Sequence, residues 1–180
     1  MPDTTRTGAP ARLQPVAASP VRRVLVVANQ TATSSALIAA LRDRVNRGAV
    51  SFRLVVPALN SRLRHWLSDT DEAVTAAQRR GEHAEAVLKS HGFSISVEIG
   101  DSVPLLAIDD AMFHFHADEI LISTLPPRGS HWLEHDLVEL AHDRFGIPVR
   151  HVVADDAVVA AGLTHKKKVI FSPLVTRHGA

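Results

Sequence analysis

The sequence predicts an α/β fold built on a doubly wound, five-stranded parallel sheet. Short apolar runs rich in β-branched residues alternate along the chain with segments of helical periodicity. Such runs are typical of strands buried on both faces, and their alternation with helices indicates parallel strands joined by crossover helices. The composition agrees, since 46% of the 180 residues are hydrophobic and 22% are charged, the balance of a globular domain.

The five strands are predicted from apolar runs that are separated by turn residues. The third run alternates apolar and polar residues, as an edge strand does, whereas the others are apolar along most of their length. In chain order, the predicted strands are residues 24–28, 52–56, 94–99, 120–123 and 148–153.

The four helices are predicted from 3.6-residue periodicity and from terminal signals. Ser34 or Ser35 can cap the first helix, the second runs over about residues 71–91, and Pro104 suits the first turn of the third. Gly146 is expected to stop the fourth. The predicted inner faces comprise Leu37, Ile38, Leu41 and Val45 in the first helix, Ile108, Met112 and Phe115 in the third, and Leu133, Leu137, Leu140 and Ala141 in the fourth.

Three segments lack such patterns. Residues 1–20 are rich in Thr, Ala and Pro and are predicted to form a disordered arm before the domain, which spans residues 21–154. Residues 155–180 form a C-terminal tail that could add a strand at 169–171. Residues 57–70 are either a mobile lid, with Arg62 and Trp66 facing a ligand, or an ordinary surface loop.

Charge and composition exclude several classes of function. Twenty Lys and Arg against nineteen Asp and Glu give a formal net charge of +1, which argues against a dedicated nucleic-acid surface. The absence of cysteine excludes disulfides, thiolate zinc sites and thiol catalysis. No apolar run approaches the roughly 20 residues that span a bilayer, and no secretory signal is recognised. We therefore expect a cytoplasmic protein without a membrane contact.

The most informative segment for function is residues 119–132, where the predicted fourth strand meets the next helix. Small polar residues end the strand, and two prolines, an arginine and a glycine precede the helix. In open α/β sheets, phosphorylated ligands bind at such junctions, beside the positive N-terminus of the helix. The predicted ligand-binding residues are Asn29, Gln30, Thr124, Arg128, Gly129 and Ser130.

Each of these residues has a proposed part and an ordinary alternative. Arg128 offers a bidentate fork to an anion, and Ser130 can cap the helix while neighbouring amides face the ligand. Asn29 and Gln30 follow the first strand and could contact a base or ribose across the crevice. The alternative for Arg128 and Ser130 is an ordinary capped helix with a solvated arginine. The alternative for Asn29 and Gln30 is a simple polar turn.

Catalysis is not predicted. His131 to His135 matches the H-x-x-E-H pattern of zinc hydrolases, but two histidines on one helix face need a third protein ligand and a cleft. His114 and His116 are two residues apart and point to different sides of their helix. No nucleophile, base and orienting group can be assembled, so neither a metal site nor catalytic residues are expected.

Three segments carry a resemblance to a known family: VEIGDSVPLLAI at 97–108, ADEILIST at 117–124 and GIPV at 146–149. With the strand order, they resemble the universal stress protein family over roughly residues 23–153. The resemblance implies a Rossmann-like sheet of order 3-2-1-4-5. It also implies pairing of two subunits through their fifth strands and a part in stress or dormancy regulation.

One motif of that family is missing. Its ATP-binding members carry Gly-x2-Gly-x9-Gly-Ser/Thr after the fourth strand, whereas Ser123 or Thr124 stands at the first glycine here and Pro126 or Pro127 at the second. Asn29 replaces the aspartate that the family often places after the first strand. The glycines matter because a Cβ would keep backbone amides away from phosphate.

The sequence therefore predicts a universal-stress-protein-like regulatory domain that forms a homodimer. It is expected to bind a nucleotide or another small anion weakly or not at all, with ATP or AMP as candidate ligands. Two alternatives stay open. One is a nucleotide-using enzyme on the same frame, and the other is a protein-interaction or dimerisation module whose crevice is filled by side chains such as Leu125 or Trp132.

Overall fold

The computed structural model describes residues 20–58, 70–126 and 136–154. Within these ranges, strands and helices alternate strictly. The strands are β1 (Arg22–Val27), β2 (Val50–Pro57), β3 (Ile95–Gly100), β4 (Glu119–Thr124) and β5 (Val149–Val153), and the helices are α1 (Ser35–Asn46), α2 (Thr70–Ser90), α3 (Pro104–Phe115) and α4 (Leu137–Phe145).

The strands form one sheet of order β3-β2-β1-β4-β5, and every neighbouring pair is parallel. This confirms the predicted fold class, the strand order and the edge position of the third strand. The chain builds the sheet outwards from β1 in one direction through β3, and then resumes on the other side with β4. The carboxyl ends of β1 and β4 therefore flank the point at which the strand order reverses, where open α/β sheets bind their ligands.

Two apolar layers cover the sheet, one on each face. Along β1, Val24 and Val26 face the layer of α1 and α2, whereas Leu25 and Val27 face the layer of α3 and α4. All four side chains are fully buried, as the apolar run predicted. The central strand is therefore enclosed by protein on both faces and by hydrogen-bonded neighbours along both edges.

Local signals set the helix ends as predicted. Ser34 caps α1, because its Oγ accepts a hydrogen bond from the amide of Leu37 at 3.2 Å. Pro104 occupies the first turn of α3, where its missing amide proton is not needed. Gly146 ends α4 in the left-handed conformation, with a φ of 62°.

Two inner-face predictions are wrong in detail. Val45 is 45% exposed, since the buried position in the last turn of α1 belongs to Arg44, which pairs with a carboxylate beneath the helix. Leu140 is 47% exposed, because Leu137 and Ala141 point into the core from α4.

Several predictions lie outside the described residues. They concern the N-terminal arm, most of the 57–70 segment, the C-terminal tail, Leu133 and the H-x-x-E-H segment, and they stay predictions. In the portion of the chain that the structure covers, no helix is both long and apolar enough to cross a membrane.

Candidate ligand crevice at the ends of β1 and β4

The turn after β1 is fixed to β2. The amide of Ala28 donates to the carbonyl of Val55 at 3.2 Å. The side chain of Asn29 is almost fully buried, and its Nδ2 donates to the carbonyl of Pro57 at 2.7 Å. Asn29 therefore holds the carboxyl ends of β1 and β2 together, because its short side-chain amide donates from the turn after β1 to the backbone of β2.

The same turn is fixed to β4 on its other side. Thr31 is buried, and its hydroxyl donates to the carbonyl of Ser123 at 2.9 Å across the reversal point of the sheet. The carbonyls of Asn29 and Thr31 accept the amides of Ala32 and Ser34, at 3.3 and 3.0 Å. The turn thus closes on itself and delivers the chain to the cap of α1.

The end of β4 is polar on both faces of the sheet. Thr124 Oγ1 lies 2.7 Å from Nε2 of His151 on β5, and the carbonyl of Thr124 accepts the amide of Ala154 at 2.8 Å. Partial burial lowers the pKa of His151 from its ordinary value, which favours the neutral ring. Ser123 Oγ is buried on the other face, and no described group bonds to it.

The predicted site residues fall into two groups. Asn29 and Thr124 lie at the carboxyl ends of β1 and β4, and Gln30 is exposed in the turn between them and α1. Arg128, Gly129 and Ser130 lie outside the described residues, so the anion half of the predicted site stays a prediction. Thr31, Ser123 and His151 were not among the predicted site residues. Their positions at strand ends were the available signal, but which residue faces the crevice depends on the register of β4 and β5.

A second polar cluster lies at the opposite, amino end of the sheet. Arg44 in α1 and Glu119 in β4 are both buried, and Arg44 Nε lies 3.0 Å from each carboxylate oxygen of Glu119. This hydrogen bonding raises the pKa of Arg44 despite its burial. Arg22 and Arg150 flank the pair beside a cavity of about 330 Å³. None of these residues was predicted to form a site.

Metal-ligating side chains are dispersed. Among residues 20–58, 70–126 and 136–154, no three His, Asp or Glu side chains are grouped so that they could hold a metal ion.

These features define a class of protein. It is an open, doubly wound α/β domain with polar side chains at its switch point, a frame on which small ligands and especially nucleotides are bound.

Comparison with known proteins specifies the fold. A universal stress protein in complex with cAMP is 15% identical, with a TM-score of 0.50, and the match covers 76% of this chain and 100% of that one. A universal stress protein family protein from Arabidopsis thaliana with AMP bound is 13% identical, with a TM-score of 0.50 and coverage of 76% and 94%. The chain thus has the universal stress protein fold. No family model matches the sequence, and no curated protein matches it.

Proposed function

We propose that this chain is a universal-stress-protein-like regulatory domain whose crevice, at the carboxyl ends of β1 and β4, takes an adenine nucleotide of the AMP type weakly. The observation that carries this proposal is the buried hydroxyl of Ser123, which no described group satisfies and which lies beside Thr124 at the switch point. A buried hydroxyl without a partner is costly, and a ligand hydroxyl or phosphate oxygen at the strand end would satisfy it.

The fold supports the choice of ligand. Two solved proteins with the same fold carry cAMP and AMP. Because fold alone does not define function, we base the proposal also on this chain's own polar groups at the carboxyl ends of β1 and β4. We propose weak binding because Pro126 or Pro127 stands at the position of the second glycine in the ATP-binding motif described above. Proline has no amide proton to donate to a phosphate oxygen.

A second candidate function is favoured by a different observation. Asn29 Nδ2 and Thr31 Oγ1 already donate hydrogen bonds to carbonyls of β2 and β4, so a ligand would have to break these bonds to use the same donors. A crevice satisfied in this way suits an interaction or dimerisation module that binds no nucleotide. The nucleotide-using enzyme gains no support of this kind.

Calorimetric titration of AMP, cAMP and ATP distinguishes these functions. For the wild type we expect saturable binding of AMP with a dissociation constant in the millimolar range or somewhat below. Arg128→Ala removes the predicted anion contact and should weaken binding about tenfold or more. Arg144→Ala is the matched control, because this arginine pairs with Asp109 on the surface of α3.

Each outcome selects one function. If wild type binds none of the three nucleotides at millimolar concentration, the interaction module replaces the ligand-binding domain. If Arg128→Ala and wild type bind equally, the anion contact lies elsewhere. Steady turnover of ATP that Arg128→Ala abolishes would instead identify an enzyme.

We also propose that the domain acts as a cytoplasmic homodimer joined through β5. The outer edge of β5 pairs with no described strand, since β5 ends the sheet. An unpaired edge offers amides and carbonyls to a second copy. Native mass spectrometry of protein purified gently from its own host would report the oligomer and any retained nucleotide together.

A further inference from the structure

The amino end of the sheet carries an unusual concentration of arginine. Arg22 begins β1, Arg150 lies on β5, and Arg44 and Arg47 end α1. Arg22 shares its face of β1 with Val24, and Arg150 shares its face of β5 with Val152, and both of these side chains belong to the layer under α1. The four guanidinium groups therefore converge on the last turn of α1, with Glu119 of β4 between them.

The carboxylates nearby do not balance these charges. Glu119 is paired with Arg44, and it is approached by Arg22 Nε at 3.8 Å and by Arg150 Nε at 3.4 Å. Arg47 and Arg44 share Asp43, at 2.7 and 2.8 Å. Four arginines thus face two carboxylates among the described residues, which leaves a surplus of two positive charges, and Arg22 and Arg150 reach Glu119 only at the longer distances.

These two arginines border a cavity, and more than half of each side chain is exposed to solvent. The cavity has a volume of about 330 Å³, and residues 47–50 and Pro148 are among those that line it. That size is at the small end of the range for ligand pockets, which begins at about 300 Å³. Two of the neighbouring amides already have acceptors within the protein, since Arg22 N donates to Ala49 O at 3.0 Å and Gly48 N to Val45 O at 3.2 Å. Recognition would therefore come from side chains.

The floor of the cavity is buried and rigid, whereas its mouth is exposed and adaptable. Arg44 and Glu119 are about 5% and 4% exposed and fix the floor of the cavity, whereas Arg22 and Arg150 are 55% and 53% exposed at its mouth. A guanidinium fork at a mouth of this kind matches the geometry of phosphate oxygens and binds them in bidentate fashion.

We infer that this cavity is a second ligand site, which binds the phosphate monoester dianion of a small metabolite between Arg22 and Arg150. A phosphate monoester carries about 1.5 to 2 negative charges near neutral pH, which matches the surplus of two positive charges in this cluster. The rest of the ligand lies against the walls formed by Gly48, Ala49 and Pro148. The site is at the opposite end of the strands from the crevice of the proposed function and does not depend on it.

The test is a titration of full-length protein with inorganic phosphate and with methyl phosphate, at constant ionic strength set by chloride. Arginine Nε–Hε resonances report the binding by NMR. We expect saturable shifts at Arg22, Arg44 and Arg150, and no saturable shift at Arg144, which is equally exposed at 53% but lies on α4. Shifts that grow linearly at every arginine without saturation would overturn the inference.

Substitution of the two arginines provides a second test of the site. Arg22→Gln and Arg150→Gln should each weaken phosphate binding about tenfold, because each removes a charge-assisted hydrogen-bond donor. Arg144→Gln is the control and should bind as wild type does. The substituted side chains are more than half exposed, so the thermal midpoint should change little. Wild-type affinity in both single variants would contradict the site.

An AMP titration separates this site from the crevice. If AMP shifts Arg22 and Arg150, its phosphate is bound at the amino end of the sheet. If AMP shifts the resonances of Thr31 and Thr124 while inorganic phosphate still shifts the Nε–Hε resonance of Arg22, the two sites are independent. The inference then stands whether or not the proposed function is correct. Failure of phosphate at Arg22 refutes this site alone.

Discussion

At the residue scale, Arg44 and Glu119 form the most demanding contact in the described part of the domain. Both groups are charged and nearly inaccessible to water, so each depends on the other for compensation. Glu119→Ala leaves the guanidinium buried without its main partner and should lower the free energy of unfolding by about 3–5 kcal/mol. Urea denaturation followed by circular dichroism measures this change.

Asp118→Ala is the matched control for that substitution. Asp118 precedes Glu119 in sequence and pairs with Arg23, but this pair is more than 40% exposed on both sides. It also accepts the amide of Arg23 at 2.8 Å, which lowers its pKa. We expect a loss of about 1 kcal/mol. Equal losses for the two variants would show that burial does not determine the strength of the Arg44 contact.

A second residue-scale prediction concerns His151 and pH. Its pKa is lowered in the folded protein by partial burial, so the unfolded chain takes up a proton first as the pH falls. Stability is therefore complete above the ordinary pKa of about 6.5 and decreases as the pH falls towards the lower folded value.

His151→Gln tests this coupling, since glutamine retains a polar group near Thr124 but does not titrate. The fall in thermal midpoint between about pH 7.5 and about pH 5.5 should be smaller in the variant than in wild type. All other histidines are present in both proteins, so the comparison isolates position 151. An identical fall in both would assign the pH dependence to other groups.

Residue-scale predictability was uneven. Ser34, Pro104 and Gly146 have effects that depend on their own backbone conformation, so the sequence alone assigns them correctly. The pairing of Arg44 with Glu119 joins residues 75 positions apart, and it depends on how far α1 extends over β4. Helical periodicity marked Val45 as the inner residue, because periodicity does not recognise an arginine that is buried by its partner.

At the element scale, the contact between β3 and α3 depends on the absence of a side chain. A Cβ built on Gly100 would lie 2.5 Å from the Cβ of Ala107 and 2.8 Å from Cγ1 of Val55. The helix can approach this closely only because the strand ends in glycine. The Gly-Asp turn, which contributed to the family resemblance, therefore has a packing reason in this chain.

Gly100→Ala should displace α3 and lower the free energy of unfolding by about 1–3 kcal/mol, the usual cost of overpacking. Ser96→Ala on the same strand is the control, because Ser96 is exposed and the change should be within about 0.5 kcal/mol of neutral. Chemical denaturation of both variants measures the difference. A neutral Gly100→Ala would mean that α3 accommodates a methyl group without cost.

Elements were predicted better than their contacts. Each strand was identified within about two residues, because an apolar, β-branched run has few other solutions in a chain of this composition. The strand order places the switch point at the ends of β1 and β4, as predicted, whereas ligand binding there stays a prediction. The partners of Asn29 and Thr124 were not predictable, because they lie on β2 and β5 and depend on register.

At the scale of the whole molecule, the proposed dimer can be tested by a single backbone proton. On either side of β5, the carbonyl of Pro148 accepts the amide of Ile120 and the amide of Ala154 donates to the carbonyl of Thr124. Alternate residues face opposite edges, so the amide of Val153 points away from β4. Val153→Pro removes that donor and leaves the bonds to β4 in place, a position at which edge strands tolerate proline.

We expect wild type to be dimeric at micromolar concentration by light scattering and Val153→Pro to be monomeric and folded. Val153→Ala keeps the amide, trims a side chain that is 43% exposed, and should remain dimeric. A dimer that persists in Val153→Pro would place the interface elsewhere. A monomeric wild type would remove the dimer from the proposal.

The position of β1 at the centre of the sheet has a consequence for how the chain folds. One edge of β1 pairs with β2, where Arg22 lies opposite Val50, and these residues are close in sequence. The other edge pairs with β4, where Val24 lies opposite Glu119, which is much farther along the chain. The β1–β2–β3 half can therefore assemble early, even during synthesis, while closure with β4 is a late, non-local step. Until then, one edge of the central strand is open to other chains, and this interval is the period of greatest vulnerability to aggregation.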